Sequence, residues 1–408
     1  MTVEWREEQI GNICKQICSG GTPKSTNIEY YTNGTIPWLN TKEINFNRIF
    51  HTEKNITEKA LNSSSAKWIE ADSIIVALYG ETAGKVAITK IALTTNQACC
   101  NLTIDPNKAD YNYIYYFLKN KNQSLINLKN GGAQQNLNVK IIKEFSIRLP
   151  PLPVQKKIAA ILSSLDDKIE LNTRMNNVLE EIARALFRRW FVAFEFPDNE
   201  GKPYKSAGGK MVESEIGRVP EGWEILSLDK IANFMNGMAC QKYPPKEGEE
   251  SMPVIKIREL RSGNLNETDR VSHHVPEKYY VQNGDVLFSW SGSLMVDIWT
   301  SGEGVLNQHL FKVTSNTYQK WFYYFWTKYH LEEFQNIAVD KATTMGHIQR
   351  KHLNQAKVIV PNKDTLKRMD MVMVPIIAQI IQNNLEGNVL SELRDELLPK
   401  LMSGELSL

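Results

Sequence analysis

The sequence predicts an α+β protein built by duplication: two similar globular units, each running into a long helix. Three observations predict it. The chain matches itself at a fixed offset, two segments carry a heptad pattern of apolar residues, and the stretches between hold short apolar runs of strand length.

The repeat is clearest in the helical parts. Leu179-Glu180-Glu181-Ile182-Ala183-Arg184-Ala185-Leu186-Phe187 is answered by Leu390-Ser391-Glu392-Leu393-Arg394-Asp395-Glu396-Leu397-Leu398, an offset of 211 residues (390 minus 179). The same offset carries Pro150 onto Pro361, Lys156-Lys157 onto Lys367-Arg368, Ile169 onto Ile380 and Asn172 onto Asn383, with no gap. Upstream the match is weaker but keeps its order. Ile36-Pro37-Trp38 and Lys42-Glu43-Ile44 answer Met252-Pro253-Val254 and Arg258-Glu259-Leu260. Ile74 to Gly80 answers Val286 to Gly292, Asn96-Gln97 answers Asn307-Gln308, and Tyr115-Tyr116-Phe117 answers Tyr323-Tyr324-Phe325.

These correspondences divide the chain into a globular unit at 1–153, a helical spacer at 154–196, a linker at 197–222, a second globular unit at 223–361 and a second helical spacer at 362–408. Within the globular units, Ser73–Leu78, Lys85–Thr89, Phe145–Leu149, Val286–Phe288, Leu310–Thr314 and Ala356–Val360 read as strands. Tyr111–Lys119 and Gln319–Lys328 read as helices. The aromatic run Trp321 to Trp326 fits a helix packed on a sheet, with base stacking as the alternative. Pro197 to Lys210 has the proline, glycine and polar content of a connecting loop.

The helices carry the second signal. Stepping by seven gives Ile158, Leu165, Asn172, Leu179 and Leu186 in one, and Met369, Ile376, Asn383, Leu390 and Leu397 in the other. Leu162, Ile169 and Ile380 fill positions between them, completing a coiled-coil seam. Both seams hold an asparagine at the same place. A buried amide there costs stability and disfavours slipped alignments, which points to helices that pair in one register. Two helices packing separately remain the alternative. Pro375, Gly387 and Arg394 are expected to weaken or bend the middle of the second helix.

Composition excludes several classes. At 408 residues, 42% hydrophobic and 23% charged, the chain has the make-up of two or three globular domains rather than a disordered tail. No run of 18 apolar residues suggests a membrane span. Met1 to Ile10 lacks the apolar core of a signal peptide, so a cytoplasmic location is expected. Cys14, Cys18, Cys99, Cys100 and Cys240 are odd in number and irregularly spaced, which suits reduced thiols rather than a disulfide framework or zinc site. A net charge of +2 permits nucleic-acid binding only if the basic residues are gathered locally.

Catalytic motifs are not evident. Gly80-Glu81-Thr82-Ala83-Gly84-Lys85-Val86 is one residue short of a phosphate loop and has Val86 where a magnesium-binding hydroxyl belongs. It reads as a turn. Asp198, Glu200 and Lys202 spell nuclease letters but lie contiguous in a loop, whereas a metal site draws on separated rigid positions. No glycine-rich turn after a strand suits a methyl-donor cofactor. Gly20-Gly21-Thr22-Pro23 reads as a loop, and the pair His273-His274 lacks metal-ligand spacing. No catalytic residue, cofactor site or metal site is assigned.

Leu149-Pro150-Pro151-Leu152-Pro153-Val154-Gln155-Lys156-Lys157-Ile158-Ala159-Ala160-Ile161-Leu162, its continuation through Asp166-Asp167-Lys168-Ile169, and the ending Leu186-Phe187-Arg188-Arg189-Trp190-Phe191 closely resemble the central helical region of type I restriction-modification specificity subunits. The linker Gly201-Lys202-Pro203-Tyr204-Lys205 and the entry Pro220-Glu221-Gly222-Trp223 are typical of that family too. The resemblance covers essentially the whole chain; it is specific in the helices and generic in the globular units. It implies two target-recognition domains separated by two long helices that form an antiparallel coiled coil, a pseudo-twofold internal repeat. Each domain would read one half of a split, asymmetric site in double-stranded DNA, while the helices set the unread spacer. Two methyltransferase subunits, which bring S-adenosylmethionine, and restriction-translocase subunits, which use ATP, would be the partners. The chain itself would bind neither cofactor and catalyse nothing. A helix from Val154 to Phe191 spans 38 residues (191 minus 154, inclusive), roughly 57 Å at the α-helical rise, against about 34–36 Å for one DNA turn.

Candidate DNA-binding residues follow from which side chains suit base edges: amides for adenine, arginine or lysine for guanine. Gln134, Gln135, Asn136, Asn138 and Lys140 form an amide-rich loop in the first half, in the place of Thr343, Thr344, His347, Gln349 and Arg350 in the second. Ordinary solvated loops are the alternative. Lys24, Asn40, Lys42, Tyr79 and Lys85 in the first half, with Lys256, Arg258, Arg261, Trp290 and His309 in the second, are further candidates, some for phosphate contacts that position without specifying. Two other readings stay open: a self-contained methyltransferase or endonuclease, and a coiled-coil adaptor that binds no DNA.

Overall fold

The computed structural model describes residues 5–128, 136–340 and 346–406. They fall into two compact units, one made of 1–168 with 390–408, the other of 169–389. Both long helices therefore contribute to both units, and each unit is described separately.

In the first unit a five-stranded sheet runs in the order Cys14–Ser19, Cys99–Ile104, Ile74–Ala77, Val86–Thr89, Arg48–Ile49. Only the last pairing is parallel. The run Ile74-Ile75-Val76-Ala77 is buried on both faces, as its unbroken apolar character requires. Ile74 and Val76 pack toward helix Tyr111–Asn120, whereas Ile75 and Ala77 pack with Leu39 and Ile44 on the other side. Asp110 starts that helix by accepting a hydrogen bond from the Tyr113 N–H at 3.0 Å. A second sheet has the order Lys54–Ile56, Ile36–Leu39, Thr94–Thr95, its last pairing parallel. Arg6–Gln9 pairs with Ser146–Leu149 at the entry to the first long helix.

The second unit repeats this plan. Its four-stranded sheet runs Asn233–Asn236, Leu310–Thr314, Val286–Ser289, Met295–Ile298, all antiparallel. Its second sheet runs Arg270–Ser272, Ser251–Ile255, Gly304–Leu306, Tyr280–Val281, and again the central pairing is parallel. Glu224–Ser227 pairs with Lys357–Val360. Val286 and Phe288 face helix Lys320–Tyr329, while Leu287 faces the opposite core. The duplication therefore extends to strand order and pairing sense. The aromatic run Trp321 to Trp326 lies in the core, not on a nucleic-acid surface. Residues 197–222, connecting by composition, are folded. Phe196 stacks on Tyr204 at 4.6 Å between ring centroids, Val219 is buried, and Met211–Val212 pairs with Val219–Pro220. Those apolar anchors hold what proline, glycine and lysine alone would leave loose.

The long helices are Leu152–Phe191, 40 residues, and Lys363–Ser403, 41 residues. In the first unit Ile158 and Leu162 share a core with Leu398, Leu401 and Met402. In the second, Phe187, Trp190 and Phe191 share one with Met369, Met373 and Ile377. The helices run antiparallel there. Asn172 donates to the Asn383 carbonyl at 3.3 Å and to Glu386 at 2.8 Å, and one turn later Asn176 reaches back to Ile380 and Asn384 at 3.2 and 2.6 Å. The two seam asparagines, related by the duplication, thus meet each other, and both are buried. Their seam neighbours Leu165, Ile169, Leu179, Leu186, Ile376, Ile380, Leu390 and Leu397 are half-buried. The second helix runs unbroken through Pro375 and Gly387, because Met369, Met373 and Ile377 are fixed in the core on either side of the proline. Arg394 is no weak point either; it pairs with Asp166 at 2.7 Å.

Candidate nucleic-acid interface

Each half holds an Asn-Gln turn between its two sheets, and the same bonds hold both turns. In the first half the Asn96 N–H donates to the Leu39 carbonyl at 3.0 Å, and its own carbonyl accepts from Cys99 at 3.2 Å. Its side-chain oxygen accepts from the Ala98 N–H at 3.1 Å. In the second half Asn307 donates to Ile255 at 3.1 Å and accepts from Leu310 at 3.0 Å and, through its side chain, from His309 at 3.3 Å. The side-chain bond two residues ahead explains why asparagine is used.

A crossing strand clamps each turn from outside. The N–H groups of Gly20 and Gly21 donate to the Cys99 and Thr95 carbonyls at 3.3 and 2.9 Å. Those of Gly237 and Met238 donate to Leu310 and Leu306, both at 3.0 Å. A Cβ on Gly20 would sit 2.2 Å from the Thr95 carbonyl oxygen, and one on Gly237 2.2 Å from that of Asn307. Only glycine permits so close an approach. Gly20-Gly21, read as a plain loop, is therefore part of this clamp.

Beside the turn lies a short helical start. Glu43 reaches back to the Asn40 N–H at 2.9 Å, and Glu259 reaches back to the Lys256 N–H at 3.1 Å. Arg258 pairs with Glu259 at 2.7 Å, and since the glutamate is fully buried this arginine serves to neutralise it. Lys256 is paired with Asp269, whose carboxyl is held below its usual range by that hydrogen bond. In the first half Lys42 pairs with Glu53, which raises the ammonium pKa.

In the second half several candidates gather on one patch. The Trp290 indole donates to the Gln308 carbonyl at 3.2 Å, and its ring lies 6.1 Å from His309, 6.3 Å from His347 and 5.8 Å from Phe311. Ser291 Oγ is 2.9 Å from His309 Nδ1. The Arg350 guanidinium lies 5.7 Å over the Phe311 ring. The loop bringing His347 and Gln349 is tied in by the Ile348 N–H, which donates to Trp290 at 3.0 Å, and Gly292 donates to Gly346 at 2.8 Å. Arg261 lines a cavity of about 410 Å³ with Gly292, Ser293 and Gly346.

The first half gathers fewer. Leu78, next to Tyr79, donates to Ala98 of the turn at 2.8 Å and accepts from Leu137 at 2.9 Å, which sets Asn136 close by. Asn40 accepts from the Asn96 amide at 3.0 Å. Lys85 donates to Asn45 at 2.8 Å, and Thr82 to the Thr41 carbonyl at 2.9 Å. The Gly80–Val86 segment is the turn of a hairpin between Ile74–Ala77 and Val86–Thr89. Asn138 caps helix Val139–Glu144, so its oxygen is engaged by the Ile141 N–H at 3.0 Å. Lys140 lies 3.9 Å from Glu144, and Lys24 is exposed ahead of the turn Asn27–Tyr30. Gln134, Gln135, Thr343 and Thr344 lie outside the described residues.

Sequence reading passed over the two residues at the tips of the turns, Gln97 and Gln308. Their signal was present in the repeat, where Asn96-Gln97 answers Asn307-Gln308. Behind the turns, burial pushes the thiols of Cys99 and Cys240 up to about 12 and about 11. They are unreactive packing groups. Among the described residues no three of histidine, cysteine, aspartate or glutamate come together as a metal site, and no helix is long and apolar enough to cross a membrane.

Comparison with known proteins agrees with this duplicated plan. The MjaIX specificity subunit of a type I restriction enzyme, from Methanocaldococcus jannaschii, is 30% identical over 99% of this chain and 96% of its own. The HindI specificity subunit from Haemophilus influenzae is 22% identical over 99% of this chain and all of its own. The crystal structure of a type I restriction-modification S subunit from M. genitalium shares the fold, with a TM-score of 0.62 at 16% identity over 98% of this chain and 96% of that one. Residues 2–181 and 220–394 each match the type I restriction modification DNA specificity domain, and with both halves so matched the chain belongs to the family of type I restriction-enzyme specificity subunits.

Proposed function

We propose that this chain selects the DNA sequence on which a type I restriction-modification complex acts, one half of a bipartite asymmetric site per globular domain, and that it is itself non-catalytic. The observation that carries the reading is the pair of matching specificity domains, each with its own clamped turn amid polar and basic residues. We assign target recognition to 1–153 and 223–361 and the unread spacer to the helices, the first of which is roughly 60 Å long from its 40 residues. The modification subunits supply S-adenosylmethionine and the restriction subunits ATP, in the cytoplasm. Two methyltransferase subunits suit two further features. Leu171, Met175, Val178 and Ile182 line one exposed face of the first helix at helical spacing, and Val389 and Leu393, the duplicates of Val178 and Ile182, are likewise exposed on the second.

Exchange of residues 1–153 for those of a relative with a different target, followed by methylation mapping in cells that carry the modification subunit, tests the reading. One half-site is expected to change and the other to persist. Change in both halves, or methylation by the purified chain alone, refutes it.

A further inference from the structure

We propose that Gln97 and Gln308 read the same base, an adenine, at equivalent places in the two half-sites. The inference rests on the function proposed above. The duplication has kept some residues of the turn and let its neighbours diverge. Around the turn most side chains differ between the halves: Leu78 against Trp290, Tyr79 against Ser291, Ala98 against His309, Asn136 against His347, Asn40 against Lys256. The Asn-Gln pair stays, as do the backbone bonds and the glycine clamp that fix it.

The asparagine is accounted for by folding, since its side chain closes the turn in both halves. The glutamine is not. Gln97 is exposed and accepts from the Thr22 hydroxyl, whereas Gln308 is half-buried with its amide nitrogen 3.4 Å from His309 Nε2. The two side chains share no intramolecular contact that would require the same residue. What they share is a place at the tip of a backbone held by five equivalent hydrogen bonds, which limits the motion of the residue it carries.

A glutamine amide pairs a donor with an acceptor, which matches the N7 acceptor and N6 donor that adenine shows in the major groove. Phosphate contact would need no acceptor and is met as well by lysine or arginine, neither of which occupies the tip in either half. Divergent surroundings would then read the bases that differ between the half-sites, with a shared amide reading one that does not.

The test uses the assembled modification complex. Wild type, Gln97→Ala, Gln308→Ala and Gln97→Glu chains are expressed with their methyltransferase subunit in methylation-free cells, and methylated sites are mapped by single-molecule sequencing. Copurification with the methyltransferase checks folding. The wild-type half-sites are expected to share an A·T pair at one equivalent position. Gln97→Ala relaxes discrimination at that pair in one half by about 10- to 100-fold, the range of one bidentate base contact, and Gln308→Ala does so in the other half. Gln97→Glu, an acceptor only, moves the preference from adenine toward cytosine. Unchanged base preference in both alanine variants, or relaxation of the same half by both, overturns the assignment while leaving the bipartite reading intact. A wild-type pattern that is not bipartite removes the reading beneath it, and the assignment with it.

Discussion

The two halves fasten their long helices to their sheets with different chemistry at corresponding positions. In the unit of 169–389 the helix anchors are Phe187, Trp190, Phe191, Met369 and Met373, and in the other unit the residues offset by 211 are Leu398, Leu401, Met402, Ile158 and Leu162. Aromatic rings in one half stand where aliphatic chains stand in the other. Phe187 alone packs within 6.0 Å, centroid to centroid, of Phe191, Phe325, Trp326 and Tyr329. The aliphatic half fills the remaining space with charge. Asp166 accepts from Tyr116 at 2.5 Å and pairs with Arg394 at 2.7 Å, and Arg48 engages Asp167. The duplicates of Asp166 and Arg394 are Ile377 and Ala183, both buried and apolar. Volume and satisfied polarity suffice for such a joint, so it was free to diverge; a turn that must present one atom set in one place was not.

The largest effect is expected where the rings interlock. Phe187→Ala should cost about 3–5 kcal/mol in the second unit, and its duplicate Leu398→Ala about 2–4 kcal/mol in the first, since a larger buried side chain leaves a larger cavity. Chemical denaturation with a probe in each unit measures both. Equal losses would mean that the aromatic joint relaxes around the hole and is the looser of the two.

The charged joint should be fragile to partial removal and tolerant of wholesale replacement. Arg394→Ala strands Asp166, whose side chain is 13% exposed, and should cost about 2–3 kcal/mol. Asp166→Ile, Arg394→Ala and Tyr116→Phe together install the residues of the other half at the first two sites and remove the hydroxyl left without an acceptor. That triple variant is expected within about 1 kcal/mol of wild type. A triple loss equal to the single one would show that the sheet needs the charges for more than neutralising one another.

How far the sequence reveals this depends on which force sets each feature. The strands Ile74–Ala77 and Val286–Ser289 and the helix Tyr111–Asn120 were legible because apolar periodicity is local and strong. Pairing of the long helices was legible through the shared asparagines, whose cost makes them conspicuous. The folding of 197–222 was hidden, because it depends on Phe196, Tyr204 and Val219 meeting across the loop. Arg394 looked like a fault for a similar reason: its partner Asp166 lies 228 residues away, a distance over which periodicity says nothing. Within the candidate interface, residue type pointed to Trp290, His309 and His347, which the fold does gather. It could not tell that Arg258 and Lys256 are engaged by Glu259 and Asp269, nor that Asn138 caps a helix.

The smallest predicted effect concerns Lys119, which lies at the edge of the charged joint with its side chain 13% exposed and 3.9 Å from Asp395. Burial lowers its pKa, the nearby Arg394 lowers it further, and Asp166 and Asp395 offset only part of this. In the unfolded chain the ammonium titrates near its ordinary 10.5. Between the depressed folded value and 10.5 the unfolded state binds more protons, so stability must rise as pH rises through that window. Below the window the charged lysine weakens the fold by its full amount, and above it the penalty is gone. Lys119→Met should therefore stabilise the first unit at neutral pH, by under about 1 kcal/mol once the weak pairing to Asp395 is discounted, and the gain should fade toward pH 10.5. The Thr327 of the other half stands at the equivalent place and carries no charge, so Thr327→Val should show no such pH dependence. Unfolding curves for both variants from pH 7 to 10 decide it: a Lys119→Met gain that stays level across that range would place the lysine in solvent rather than in the joint.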